Sequence, residues 1–173
     1  MSRKLSDVLD FGGRLEVGQY GKSKVINVES RVQEVQGKDS VDIIYLLIEL
    51  TEGTDAGTEH TVTYRLAWYN TSKGGEFSPG FTALKRDAKS LGILDKLPDD
   101  LPELTLPEIR GAVARAFKGV NFRFKVVAGK PVKRMKPNEH GDLEETTVTY
   151  NETFLMPLGS PEAKPATATA KYA

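Results

Sequence analysis

A small β-barrel with a helical insertion between its third and fourth strands is the fold this chain predicts, and three observations predict it. Strand-like and helix-like segments follow one another in the order β-β-β-α-β-β. The strand segments show two-residue alternation or continuous apolarity, while the insertion has helical spacing with cap residues at its ends. With 173 residues, 39% of them hydrophobic, the chain fills one core and does not need two.

Residues 1–22 carry Gly12, Gly13, Gly18 and Gly21 among charges and read as an arm leading into a barrel over residues 23–158. The first strand spans Lys24 to Val35, with Ile26, Val28, Ser30 and Val32 on the core face and Asn27, Glu29, Arg31 and Gln33 opposite. Gly37 to Ser40 is a turn. Asp42 to Thr51 is apolar on both faces, as the middle strand of a sheet is. After the glycine-bearing turn Glu52 to Gly57, the third strand, Glu59 to Tyr69, turns Val62, Tyr64, Leu66 and Trp68 inward and Thr61, Thr63, Arg65, Ala67 and Tyr69 outward.

A polar loop, Asn70 to Gly75, precedes Ser78, which caps a helix with Pro79 at its first position; Phe81, Leu84, Ala88 and Leu91 form the stripe and Gly92 ends it. A proline-rich acidic link through Pro98 and Pro102 leads to a second helix, Leu106 to Lys118. There Thr105 and Glu108 have capping-box spacing, Ile109, Val113 and Phe117 form the buried stripe, and Gly119 stops the helix. Strand four, Val120 to Val127, turns Phe122, Phe124 and Val126 inward, and strand five, Thr146 to Met156, places Val148, Tyr150 and Phe154 on one face. Between them Gly129 to Pro137 reads as a lysine-rich hairpin loop. Residues 159–173 have the composition of a disordered tail. The order is that of an OB-fold, a five-stranded Greek-key barrel, here with two short helices between strands three and four.

Composition excludes more than it assigns. The chain has no cysteine, which removes disulfides, thiolate zinc sites and cysteine nucleophiles together. No apolar run approaches the roughly 20 residues that span a bilayer, and Met1 to Leu5 leads into no signal-like apolar stretch, so a cytoplasmic protein without membrane contact is expected. Gly21-Lys22-Ser23 resembles the end of a phosphate-binding loop, but the glycine that motif needs five residues earlier is Glu16. His60 and His140 stand far apart without metal-ligand spacing and read as surface or turn residues. Asp99-Asp100 and Glu144-Glu145 read as solvated loop charge. Asn70-Thr71-Ser72 and Asn151-Glu152-Thr153 match the glycosylation tripeptide but have no secretory context. No catalytic residue, no metal site and no cofactor is expected, and the protein is read as a non-enzyme.

A binding surface is better supported. Net charge is zero, with 24 basic and 24 acidic residues, so any affinity for a polyanion must come from the distribution of charge. Outward on the first three strands lie Arg31, Tyr45, Arg65 and Tyr69; Lys73 follows in the next loop, Arg123 and Lys125 point out of strand four, and Lys130, Lys133, Arg134 and Lys136 fill the hairpin. Cations that displace counterions from phosphates, interleaved with rings on which unpaired bases stack, are what a single-stranded DNA site needs. The competing assignments are structural. Arg31 and Arg65 pair with Glu29 and Glu49 across strands, the hairpin is solvated charge, and Trp68 and Tyr64, sharing a face with Val62 and Leu66, are core.

The run from Thr58 to Gly92, a tyrosine- and tryptophan-bearing strand, a glycine-containing loop and the helix Phe81-Thr-Ala-Leu-Lys-Arg-Asp-Ala-Lys-Ser-Leu-Gly92, resembles the middle of the OB-fold single-stranded DNA-binding proteins of tailed bacteriophages. The helix Leu106 to Lys118 and the lead through Gly119 into strand four fit the same layout, and the likeness covers about residues 20–158. It implies coating and protection of single-stranded DNA in phage replication and recombination inside the bacterial host, engagement of phage or host replication proteins, and no enzymatic activity. The acidic tail that such proteins often carry is not matched, because Glu162 stands against Lys164 and Lys171. Two readings stay open: an acidic tail lying outside this sequence, or partners engaged through the acidic segment Asp95 to Glu108 instead. A non-enzymatic protein-interaction or virion structural module on a similar barrel is the alternative.

Overall fold

The computed structural model of the chain describes residues 14–34 and 40–159. The expected turn at residues 37–39 and the tail from residue 160 onward lie outside them. Seven strands and two helices follow in the order β1 (Gly18–Gln33), β2 (Val41–Leu50), β3 (Glu59–Arg65), β4 (Tyr69–Asn70), β5 (Glu76–Phe77), α1 (Pro79–Ser90), α2 (Leu106–Phe117), β6 (Asn121–Pro137) and β7 (Leu143–Met156). Two single turns of 3-10 helix, Leu94–Lys96 and Leu101–Glu103, join the helices. The fold is mainly β: a five-stranded antiparallel sheet in the order β3-β2-β1-β6-β7, with β4 and β5 forming a separate hairpin.

β1 bends the sheet around the core. Its first part pairs with β6, from Gly18↔Val126 to Lys24↔Asn121, and its longer second part pairs with β2, from Ser23↔Leu50 to Gln33↔Val41. The register shifts twice, between Tyr20 and Ser23 against β6 and between Val25 and Asn27 against β2. Each shift flips which parity faces inward, so Tyr20, Ser23 and Val28 are all buried. Two expectations are corrected here. The strand begins at Gly18, inside what reads as an arm, and Ile26 and Val32 are exposed. Ile26 sits at the second shift, and Val32 lies opposite Asp42, beyond the last β2–β3 pair, Ile43↔Arg65.

The helices follow their cap residues. The Ser78 side chain accepts from the Phe81 N–H, and Gly92, at φ +71°, ends the turn after α1. Thr105 and Glu108 form the reciprocal capping box of α2. Leu84 and Ala88 of α1 and Ile109, Val113 and Phe117 of α2 close the core made by Ile44, Leu46, Ile48, Val62, Tyr64, Phe122, Phe124 and Leu155.

The sheet is not closed by a backbone ladder: β3 and β7 are its two edges, and side chains bridge the seam between them. At one point the Leu15 N–H donates to His60 Nδ1 (2.9 Å), which leaves Nε2 as the protonated nitrogen and donor to Thr153 Oγ1 (2.7 Å). The ring stacks on Phe124, which stacks on Tyr20. His60 is thus a buried tether of β3 to β7, and its expected place on the surface is wrong. Burial, reinforced by the charge of Arg14, lowers its pKa to about 4.

At a second point α1 fills the seam. The buried carboxylate of Asp87 accepts from Tyr64 Oη of β3 (2.6 Å) on Oδ2, and from the Leu155 N–H of β7 (3.3 Å) and Arg86 Nη2 (3.0 Å) on Oδ1. Arg86 also donates to the Thr153 carbonyl (3.0 Å) and to Glu152 Oε1 (2.6 Å). Burial pushes the Asp87 carboxyl up despite these donors, and burial together with Asp87 pushes the Tyr64 phenol well up, so it stays an O–H donor.

The last two strands run further than expected. β6 extends to Pro137, pairing with β7 from Arg123↔Met156 to Pro137↔Leu143, so the lysine-rich segment is a strand rather than a loop. The true turn is Asn138 to Asp142, where Asn138 Oδ1 accepts from the N–H groups of His140 and Asp142 and Gly141 has φ +82°. Gly129 marks a register shift instead: a Cβ there would lie 2.3 Å from the Tyr150 carbonyl oxygen. On β7 the core takes Leu155 and Met156, while Tyr150 is exposed on the face that reads as apolar.

Asp87→Ala should lower folding stability by roughly 3–5 kcal/mol, because it strands the buried Tyr64 hydroxyl and Leu155 N–H and takes a carboxylate from Arg86, and Tyr64→Phe by roughly 1–3 kcal/mol. Denaturant titration measures both; a loss below 0.5 kcal/mol for Asp87→Ala would remove the seam from the account. His60 gives a pH dependence. Its folded pKa lies below its unfolded value of 6.5, so the unfolded chain takes up the proton first and stability falls as pH drops from about 6.5 to about 4. The His60 contribution at pH 4 is roughly 3 kcal/mol, and it is read as the difference between the pH profiles of the native chain and His60→Gln. Parallel profiles would exclude a buried neutral histidine.

Candidate nucleic-acid interface

Strand register decides which of the expected binding residues share a surface. Arg31, Ile43 and Arg65 form one row across β1, β2 and β3, and Glu29, Tyr45 and Thr63 form the row two residues along, so Arg31, Tyr45 and Arg65 lie on one outward face. Both arginines are exposed and Tyr45 is half-buried. Arg65 donates to Gln33 Oε1. A cross-strand pair with Glu49 is excluded by register, since Glu49 lies six residues along β2 from Ile43, roughly 20 Å at the rise of a strand. Glu29 stands two residues from Arg31 on the same face.

Tyr69 belongs to a different surface, and the reason is local. β3 ends at Arg65, one further bond running from the Leu66 N–H to the Asp42 carbonyl, because the start of α1 packs directly on it: a Cβ on Gly80 would lie 2.0 Å from the Arg65 carbonyl oxygen. Strand alternation therefore stops before Trp68. Expected in the core, Trp68 is 49% exposed, its ring against Phe81 at 5.6 Å. Tyr69 opens the β4–β5 hairpin opposite Phe77, the rings 5.9 Å apart, and Lys73 is exposed in its turn. Sequence reasoning missed Trp68 and Phe77 as surface rings. The usable signal was a glycine-rich polar turn, Asn70 to Gly75, flanked at equal distance by aromatic residues.

Arg123 and Lys125 lie on the part of β6 that also pairs with β1, opposite Met156 and Phe154 of β7, and both are half-buried. The Phe154 ring carries the Arg86 guanidinium at 3.9 Å and the Lys125 ammonium at 5.5 Å. The Nε of Arg123 is buried with no hydrogen-bond partner. Lys130 and Lys133 are exposed on the extension of β6, where Arg134 pairs with Thr146 and Lys136 with Glu144 along the backbone. Lys133 is 3.6 Å from Glu145 in a solvent-exposed pair, which contributes little and yields readily to a phosphate. The candidates thus form separate groups: the β1–β3 face, the aromatic hairpin, the Phe154 cluster and the β6–β7 ribbon.

The seam encloses a cavity of about 290 Å³ whose lining includes Arg14, His60, Thr63, Arg86 and Tyr150. Its polar groups are tethers: His60 and Arg86 are committed to Thr153, Asp87 and Glu152. Among the described residues no group of three or more histidines and carboxylates is placed to hold a metal ion, and no helix is long and apolar enough to cross a membrane. Comparison with known proteins finds no matching family, no matching curated sequence and no matching solved structure.

Proposed function

We propose that this chain is an OB-type barrel that binds single-stranded DNA without reading its sequence. The ladder order β3-β2-β1-β6-β7 supports the OB assignment, β6 and β7 standing as the fourth and fifth strands of a barrel whose last closure is made by side chains. In such barrels the face of strands two and three and the loop between strands four and five hold the nucleic acid. Here that face carries Tyr45 and Arg65 with Arg31 beside them, and that loop is a long ribbon.

The ribbon is the observation that carries the proposal. Beyond Val126, which pairs with Gly18 at the end of the β1 ladder, β6 continues to Pro137, roughly 35 Å at the rise of a strand. A two-stranded hairpin alone is marginal in water, and Lys130, Pro131, Lys133 and Pro137 make this strand a poor template for another strand. An arm of this kind, with cations on a twisting edge, suits a flexible polyanion. The cations of the ribbon, Lys130, Lys133, Arg134 and Lys136, all lie on β6, while Glu139, Asp142, Glu144 and Glu145 lie in the turn and on β7, so positive charge is in local excess along the β6 strand alone. The resemblance to the tailed-phage proteins supports the role as well: coating single strands during phage DNA replication and recombination, in the host cytoplasm, beside phage or host replication proteins.

Fluorescence anisotropy of a labelled oligothymidine should show binding that weakens with salt, log affinity falling by about 0.7 per unit of log salt for each phosphate neutralised, and weaker binding to a duplex of equal length. Serine at Lys130, Lys133, Arg134 and Lys136 together should weaken binding and flatten that slope while leaving the melting temperature nearly unchanged. Tyr45→Ala should cost roughly 1–3 kcal/mol of binding. Equal affinity for duplex and single strand, or an unaltered curve for the fourfold variant, would reject the ribbon as the strand path and favour a protein-interaction role.

A further inference from the structure

We infer that two exposed ring sites at the β4–β5 hairpin, the Tyr69–Phe77 pair and Trp68 just before it, stack unpaired nucleobases, with Lys73 placed to meet the phosphate backbone. The inference rests on the single-strand reading above and assigns it a second surface, apart from the ribbon. The three rings are 49%, 49% and 46% exposed, a large apolar outlay with no role in the core. They are nevertheless held in place. Trp68 lies against Phe81, which packs on the core, with the ring planes 36° apart. Tyr69 and Phe77 are directly paired across β4 and β5, so both rings rise from the same side of the hairpin.

The hairpin itself is rigidly built for its size. The Thr71 N–H donates to the Gly75 carbonyl (2.7 Å), the Gly74 N–H to the Thr71 carbonyl (3.1 Å), and the Gly75 N–H to Thr71 Oγ1 (3.0 Å); Gly74 takes φ +85° at the turn. Its root is fixed where α1 presses on Arg65. Fixed rings with an open side keep the entropic cost of capturing a base low.

The surroundings choose the occupant. The turn offers an amide, two hydroxyls and an ammonium in Asn70, Thr71, Ser72 and Lys73, and no aliphatic side chain. Glu76 pairs with Asn70, the position next to the ring pair, and so stands on the opposite side of the hairpin. Exposed rings alone suit a protein partner as well; the lysine in the turn and the placing of Glu76 away from the Tyr69–Phe77 pair favour a polyanion. A flat base with a charged backbone finds ring faces and a cation. Arg65, exposed three residues before Trp68, belongs to the β1–β3 face, where it donates to Gln33.

Trp68 is the sole tryptophan of the chain, so its emission reports its own ring site directly. Oligothymidine should quench it saturably, over the same concentrations at which a labelled oligothymidine is bound, whereas an abasic oligonucleotide of equal length and charge should leave it unquenched. Trp68→Ala and Phe77→Ala should each weaken binding roughly 5- to 150-fold, and Trp68→Phe, which keeps a ring, should stay near the native affinity with an unchanged melting temperature. If the labelled oligonucleotide binds with the expected salt dependence while Trp68 emission does not change and the alanine variants bind like the native chain, the ring sites are overturned and the ribbon stands. If the oligonucleotide does not bind at all, both fall.

Discussion

The buried carboxylate of Asp87 is the interaction on which the rest of the fold depends. The five-stranded sheet leaves β3 and β7 without a shared ladder, and a sheet opened there would expose Tyr64, Val62 and Leu155. Asp87 takes a hydrogen bond from each edge and is itself carried on α1, so one side chain joins helix, β3 and β7. Desolvating a carboxylate is costly, and it is tolerated here because Arg86 and two further donors surround it. His60 repeats the device further along the seam with a neutral group. Together they replace a strand ladder by two polar tethers.

That substitution shapes the functional surfaces. With α1 held against β3, the start of the helix meets the Arg65 backbone and ends the strand, and the chain turns outward with Trp68 and Tyr69 on it. With β7 held by its far end, from Thr153 to Leu155, the other end of β7 is free to follow β6 beyond the stretch that pairs with β1. The aromatic hairpin and the β6–β7 ribbon are thus both consequences of where the seam is tied.

Much of the fold is legible in the sequence wherever the deciding interaction is local. Ser78 with Pro79, and Thr105 with Glu108, define the helix starts; Ile43 to Ile48 reads correctly as a central strand, and Gly92 and Gly119 as stops. What is illegible is decided at a distance. Tethers from residues 45 and 93 positions away bury His60, and nothing near it in the chain announces them. The inward parity of β1 is reset by two register shifts, each meaningful only against a partner strand. Lys130 to Pro137 has the composition of a loop and becomes a strand because threonine-rich β7 lies opposite. Trp68 continues the alternation of β3 in sequence but not in space. Of the candidate site, register confirms the shared face of Arg31, Tyr45 and Arg65; the aromatic hairpin was visible only in its tyrosine.

The central proposal is that single-stranded DNA is held at three places, the Arg31–Tyr45–Arg65 face, the β6–β7 ribbon and the aromatic hairpin. Amide chemical-shift mapping of the isotope-labelled chain with unlabelled oligothymidine tests it most directly. The account requires shifts at Arg31, Tyr45 and Arg65, at Trp68 to Phe77, and along Lys130 to Lys136, with α2 and the acidic link Asp95 to Glu103 unmoved. Shifts confined to the acidic link or the seam, or none at saturating oligonucleotide, would contradict it.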